Sequence, residues 1–141
     1  MNIIDYVAGT SGRILIIDDE AEVRDTLRMH LESAGYKVIE AEDGEDGINQ
    51  LKKGSNLLQV GLIITDIRMP KVNGVDAIEY IKANAPSKPI IVVTAYPDLD
   101  LAISLLKKGV KEYLVKPVEK VVLLGAVNKI LSRSQEFDYV S

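Results

Sequence analysis

The 141-residue sequence contains no cysteine. Disulfides, thiolate metal sites and thiol nucleophiles are excluded together, and the redox compartment is left unconstrained. No apolar run approaches the ~18 residues needed to cross a membrane. The stretch Met1 to Gly12 includes Asp5 and lacks the basic start and long apolar core of a secretory signal. An excess of positive charge is also missing. The net charge of -4 argues against a nucleic-acid-binding surface as the main business of this domain. Neither an internal repeat nor a low-complexity segment is present. A cytoplasmic domain, binding neither membrane nor nucleic acid directly, is the expectation.

What remains is rich in apolar residues, 47% against 27% charged, which favours a folded chain over a disordered one. The length suits one domain. Short apolar runs alternate with longer amphipathic ones. Arg13 to Asp18 reads as a buried strand, and Glu20 to Ala34 as a helix with Val23, Leu27, Leu31 and Ala34 at helical spacing, stopped by Gly35. Tyr36 to Ala41 is a second strand, Asp43 to Lys53 a second helix, and Val60 to Thr65 a third strand. Then follow helix Gly74 to Ala83, strand Pro89 to Thr94, helix Asp98 to Lys108, strand Lys111 to Val115 and helix Glu119 to Arg133. Five strand–helix units predict an α/β fold with an open, doubly wound parallel sheet and five helices. Unbroken runs such as Ile14 to Ile17 and Ile90 to Val93 suit strands covered on both faces. The domain is expected over 13–133, with 1–12 a flank and 134–141 a tail or linker stub.

On that scaffold Asp18 and Asp19 close the first strand, Asp66 the third and Thr94 the fourth, while Lys116 follows the fifth. All fall at the carboxyl ends of parallel strands, the edge where open α/β sheets bind ligands. Three carboxylates brought together cannot all stay ionised and unpaired without a large Coulomb cost. Mg²⁺, a hard cation suited to carboxylates, waters and phosphate oxygens, relieves it. The metal and the Lys116 ammonium would neutralise a phosphoryl group arriving at Asp66, and the Thr94 hydroxyl can donate to one of its oxygens.

Four segments carry a resemblance: Ile16-Ile17-Asp18-Asp19-Glu20, Thr65-Asp66-Ile67-Arg68-Met69-Pro70 with Gly74, Val93-Thr94-Ala95, and Tyr113-Leu114-Val115-Lys116-Pro117. In this order and spacing the chain resembles the receiver domains of two-component response regulators, from about Arg13 to Arg133. The resemblance implies a flavodoxin-like sheet of strand order 2-1-3-4-5, an order taken from the likeness and not from these residues. It implies that Asp66 takes a phosphoryl group from a sensor histidine kinase or phosphotransfer protein. Asp19 would bind Mg²⁺ directly, with Asp18 assisting, Asp66 contributing and the main-chain carbonyl of Arg68 completing the protein ligands. Lys116 would contact the phosphoryl group, Thr94 would move toward it, and Tyr113 would change rotamer in response. Arg68 and Tyr96 occupy positions that tune phosphoryl lifetime; both are bulky, so slow self-dephosphorylation is expected. The Lys116-Pro117 bond is cis by resemblance, whereas general X-Pro preference favours trans.

Plainer readings compete. Asp18 or Asp19 suits a helix cap, Thr94 alone is a strand-end hydroxyl, Lys116 alone a solvated charge and Tyr113 alone core packing. His30, the only histidine, reads as a helix-flank residue. The acidic run Glu40, Glu42, Asp43, Glu45 and Asp46 reads as charge complementing a helix dipole. In the last helix Leu123, Val127, Ile130 and Leu131 form a core stripe, while Val121 and Leu124 lie off its centre. The segment from Asp98 to Arg133 holds seven Lys/Arg against four Asp/Glu. An interaction surface is expected there, for a homodimer or output contact through the fourth helix, fifth strand and last helix. Two other functions stay open. An aspartyl-nucleophile phosphatase or phosphotransferase of the haloacid-dehalogenase type would carry an Asp where Arg68 stands. A flavin-holding, flavodoxin-like binding module would need a phosphate cradle where Asp18-Asp19-Glu20 stands.

Overall fold

The structure, a computed structural model, describes residues 12–67 and 74–140, side chains excepted over 133–140. Five strands alternate with helices: β1 Arg13–Ile17, α1 Ala21–Ser33, β2 Lys37–Ala41, α2 Gly44–Leu51, α3 Asn56–Gln59, β3 Val60–Thr65, α4 Gly74–Asn84, β4 Ile90–Thr94, α5 Leu99–Lys107, β5 Glu112–Val115 and α6 Lys120–Val140. The strands pair in parallel in the order β2-β1-β3-β4-β5. The expected α/β architecture and strand order are observed. Element ends shift by a residue or two, as fraying ends do.

The three central strands β1, β3 and β4 are largely β-branched apolar runs, and period-two alternation divides their side chains between the two faces. Leu15, Ile17, Ile63 and Val92 face a cluster with Ile48 and Leu51 of α2, Ile78 and Ile81 of α4, and Leu105 of α5. Ile14, Ile16, Leu62, Ile64, Ile91 and Val93 face a second cluster with Leu27 and Leu31 of α1 and Leu123 and Val127 of α6. Truncating one of these side chains, for example Ile64→Ala, is expected to cost about 2–5 kcal/mol.

Helix α1 stops where Gly35 takes φ +93, letting the Gly35 and Tyr36 N–H groups return to the carbonyls of Glu32 and Leu31. Two features differ from expectation. The one-turn helix α3 makes six helices among the described residues, and the last helix continues through Val140, beyond Arg133. Four residues are too few to show a helical period, and 134–140 has no apolar stripe to announce continuation. No helix among the described residues is long and apolar enough to cross a membrane.

Candidate functional site at the carboxyl edge of the sheet

The sheet's hydrogen bonding runs one residue past the strands and fixes the backbone of the site. The Asp18 N–H donates to the Ala41 carbonyl at 3.1 Å, the Asp66 N–H to Ile17 at 2.9 Å, and the Lys116 N–H to Thr94 at 2.8 Å. Three segments are thereby held at one edge before any side chain is considered. The Lys116–Pro117 bond that follows is cis, as the resemblance implies.

The side chains then converge. Lys116 Nζ donates to Asp18 Oδ2 and to Asp66 Oδ2, each at 2.7 Å. Asp18, Asp66 and Thr94 are buried, and the Lys116 side chain is only 12% exposed. Burial pushes the Asp18 carboxyl above its ordinary pKa of 3.8, and its bonds from Lys116 and the Glu20 N–H offset only part of that push. Burial also opposes the charge on Lys116, but its bonds to Asp18 and Asp66 outweigh burial and hold its pKa above 10.5. The lysine is the cation that lets two buried carboxylates share one small volume. The Thr94 hydroxyl accepts from the Tyr96 N–H at 3.1 Å and keeps its own proton to donate.

Asp18, Asp19 and Glu20 each place a carboxylate oxygen within 4.8 Å of the others, with Asp19 and Glu20 exposed. An oxygen-only set of this kind, beside Asp66, fits a hard divalent cation. Glu20 was missed by sequence reasoning; three consecutive acidic residues at a strand end were the available signal. The capping reading fails for this group. The N-cap of α1 is Glu20, without a side-chain cap bond, and Asp18 accepts from the Glu20 N–H one residue before the helix.

The structure sorts the remaining candidates. The Tyr113 ring packs against the first core cluster, and its hydroxyl is buried with no hydrogen-bond partner among the described residues. Tyr96 is 63% exposed. Arg68, with its carbonyl and side-chain roles, lies outside the described residues. Val121 is 81% exposed, but Leu124 is half-buried against the second cluster, so its place on the outer side of the helix is corrected. Leu124, Val127 and Leu131 follow i, i+3, i+7 spacing, which puts Leu124 on the core stripe; Val122 is the second exposed valine. His30 lies in the last turn of α1. The acidic run has structural employment: Asp43 caps α2 by accepting from the Asp46 N–H, and Glu40 pairs with Arg24 and Arg28.

Residues 14–128 match the family described as the response regulator receiver domain. The chain is 35% identical over 119 residues to the chemotaxis protein CheY of Thermotoga maritima, covering 84% of this chain and 96% of that one. It is 31% identical over 126 residues to the transcriptional regulatory protein FixJ of Bradyrhizobium diazoefficiens, covering 89% of this chain and 60% of FixJ. Among solved structures, the beryllofluoride-activated NtrC4 receiver domain dimer superposes with a TM-score of 0.76 at 30% identity, covering 86% of this chain and 98% of that one. This chain thus belongs to the receiver domain family of two-component response regulators, whose general function is a phosphorylation-dependent regulatory switch and whose members generally bind Mg²⁺ through an acidic pocket. It spans little more than half the length of curated transcriptional regulators that it matches.

Proposed function

We propose that Asp66 is the phosphoacceptor of a cytoplasmic signalling switch, charged by a partner histidine kinase or phosphotransfer protein. The observation that carries this reading is the Lys116 ammonium bonded at 2.7 Å to both Asp18 and Asp66. It marks Asp66 as a buried carboxylate with a cation already aimed at it. In the transfer, an Asp66 carboxylate oxygen forms a bond to phosphorus as the phosphorus–nitrogen bond of the partner's phosphohistidine breaks. The departing imidazole keeps that electron pair and takes up a proton. Asp19, Asp18 and Asp66, with the Arg68 carbonyl, would hold a Mg²⁺ ion, which would supply charge neutralisation for the phosphoryl oxygens. Lys116 exchanges its bond to the Asp66 carboxylate for one to the phosphoryl group, and Thr94 turns its free proton the same way.

The phosphoryl group carries about 1.5 to 2 negative charges at neutral pH and replaces the carboxylate charge of Asp66, setting them farther out from the strand end. Thr94 is tied to Tyr96 through the Tyr96 N–H, and Tyr113 lies on the strand beside β4, so a shift of Thr94 reaches both. The unpartnered Tyr113 hydroxyl favours an outward rotamer once room is made. Arg68 and Tyr96 slow the approach of water to phospho-Asp66. Exposed Leu99, Ile103, Leu106, Val115, Val121 and Val122 on α5, β5 and α6 supply a face for self-association or an output contact. Val121→Glu is expected to weaken activated-state dimerisation without affecting phosphorylation, read by light scattering.

The reading is tested by titrating beryllofluoride with Mg²⁺ into wild type and Asp66→Ala and recording amide spectra. Saturable shifts around Asp66, Thr94 and Tyr113 in the wild type, absent from Asp66→Ala, are expected. Equal shifts in both proteins would refute Asp66 as the acceptor.

A further inference from the structure

The amino-terminal edge of the sheet, opposite Asp66, holds a cavity of about 490 Å³ between the end of α4, the turn into β4, the α5–β5 turn and α6. Lys82, Lys88, Lys111 and Lys129 line it, and Glu112 is the only acidic residue in the lining. Lys129 reaches Glu112 at 3.8 Å. Lys82, Lys88 and Lys111 form no ion pair with any described residue. The carboxylate of Glu79, one turn before Lys82 on α4, is committed to Lys108 at 3.0 Å. An excess of positive charge has therefore been gathered at one place in a chain whose net charge is -4.

Ordinary structural roles do not account for the cluster. Lys82 lies in the last turn of α4, where a cation complements the helix dipole. Lys88, Lys111 and Lys129 come from three other segments and share no such explanation. Gly109, at φ +99, ends α5, and Lys82 Nζ lies over it, 2.8 Å from where a Cβ would stand. Burial pushes the Lys88 ammonium below 10.5 with no carboxylate to hold it up. Like charges lining one cavity are stabilised when an anion joins them, most of all at the half-buried Lys88.

We propose that this cavity binds a phosphate-bearing polyanion of di- or triphosphate size. Lysine ammoniums suit phosphate as point charges, and the volume falls within the ~300–1,000 Å³ of small-molecule sites. Pro89 and Ile130 add an apolar wall beside the lysines. The site lies at the opposite end of the strands from Asp66 and shares no lining residue with the carboxyl-edge site.

The test titrates tripolyphosphate, and separately a nucleoside triphosphate, into the full chain with a metal chelator present, read by amide spectra. Saturable shifts at Ser87, Lys88, Ile90 and 109–112 are expected. Lys88→Gln with Lys111→Gln should weaken binding on the order of tenfold or more, and Glu112→Gln should tighten it. Equal affinity for the two probes identifies the phosphates alone as the recognised group; tighter nucleotide binding adds the apolar wall. Either supports the proposal. No saturable shift, shifts confined elsewhere (the Asp66 edge included), or unaltered affinity in the double variant would overturn it.

Discussion

Lys116, beyond the carboxyl end of β5, and Lys88, just before the amino end of β4, are both half-buried, and burial acts against the charge of each. Lys116 lies 2.7 Å from two carboxylates, and its pKa is held above 10.5. Lys88 has no carboxylate partner, and its pKa falls below 10.5. The partner, more than the burial, decides the sign. At the carboxyl edge the protein neutralises its own charges and can exchange one pairing for another when a phosphoryl group arrives. At the amino edge three lysines are left to be neutralised from outside.

The comparison breaks most sharply at Lys116. In metal-free protein Lys116→Met leaves Asp18 and Asp66 buried without their cation, and a loss of about 3–5 kcal/mol is expected by chemical denaturation. Adding Asp18→Asn should restore much of that stability; no recovery would mean that the lysine acts by packing alone. A smaller effect is expected at Tyr113. Tyr113→Phe removes a buried hydroxyl without a partner and keeps the ring, so stability should hold steady or rise by about 1 kcal/mol. A clear loss would reveal a bond to the hydroxyl.

The smallest effect is a pH slope. The folded pKa of Lys88 is depressed, so the unfolded chain binds more protons in the window between that value and 10.5. Stability should therefore rise with pH across that window, and Lys88→Gln should flatten the rise. The pKa of Lys116 is raised, so its contribution is fully present below 10.5 and is lost as pH rises from there through its folded value. Urea midpoints measured from about pH 8 upward separate the two. A steeper rise in Lys88→Gln would contradict the assignment.

Much of this was legible in the sequence because it rests on short-range pattern. The runs of β1, β3, β4 and β5 were readable as strands, and Asp18, Asp66, Thr94 and Lys116 followed from where those runs end. Gly35 marked the end of α1 through the positive φ it adopts. Leu124 was misplaced because a stripe drawn through Leu123, Val127, Ile130 and Leu131 is narrower than the face a core helix buries. Helix α3 escaped notice because Asn56–Gln59 is a single turn. The lysine cavity was invisible for another reason: Lys82, Lys88, Lys111 and Lys129 are brought together only by the fold. The basic excess over Asp98 to Arg133 included Lys111 and Lys129 but could not show that the fold sets them beside Lys82 and Lys88.

The central claim is that Asp66 accepts the phosphoryl group. It is tested most directly by incubating wild type and Asp66→Asn with acetyl phosphate and Mg²⁺, measuring intact mass and mapping the modified residue. Wild type is expected to gain one phosphoryl mass, labile to hydroxylamine and located at Asp66, while Asp66→Asn gains none. Equal labelling of the two proteins, or a label mapped to another residue, would contradict the account.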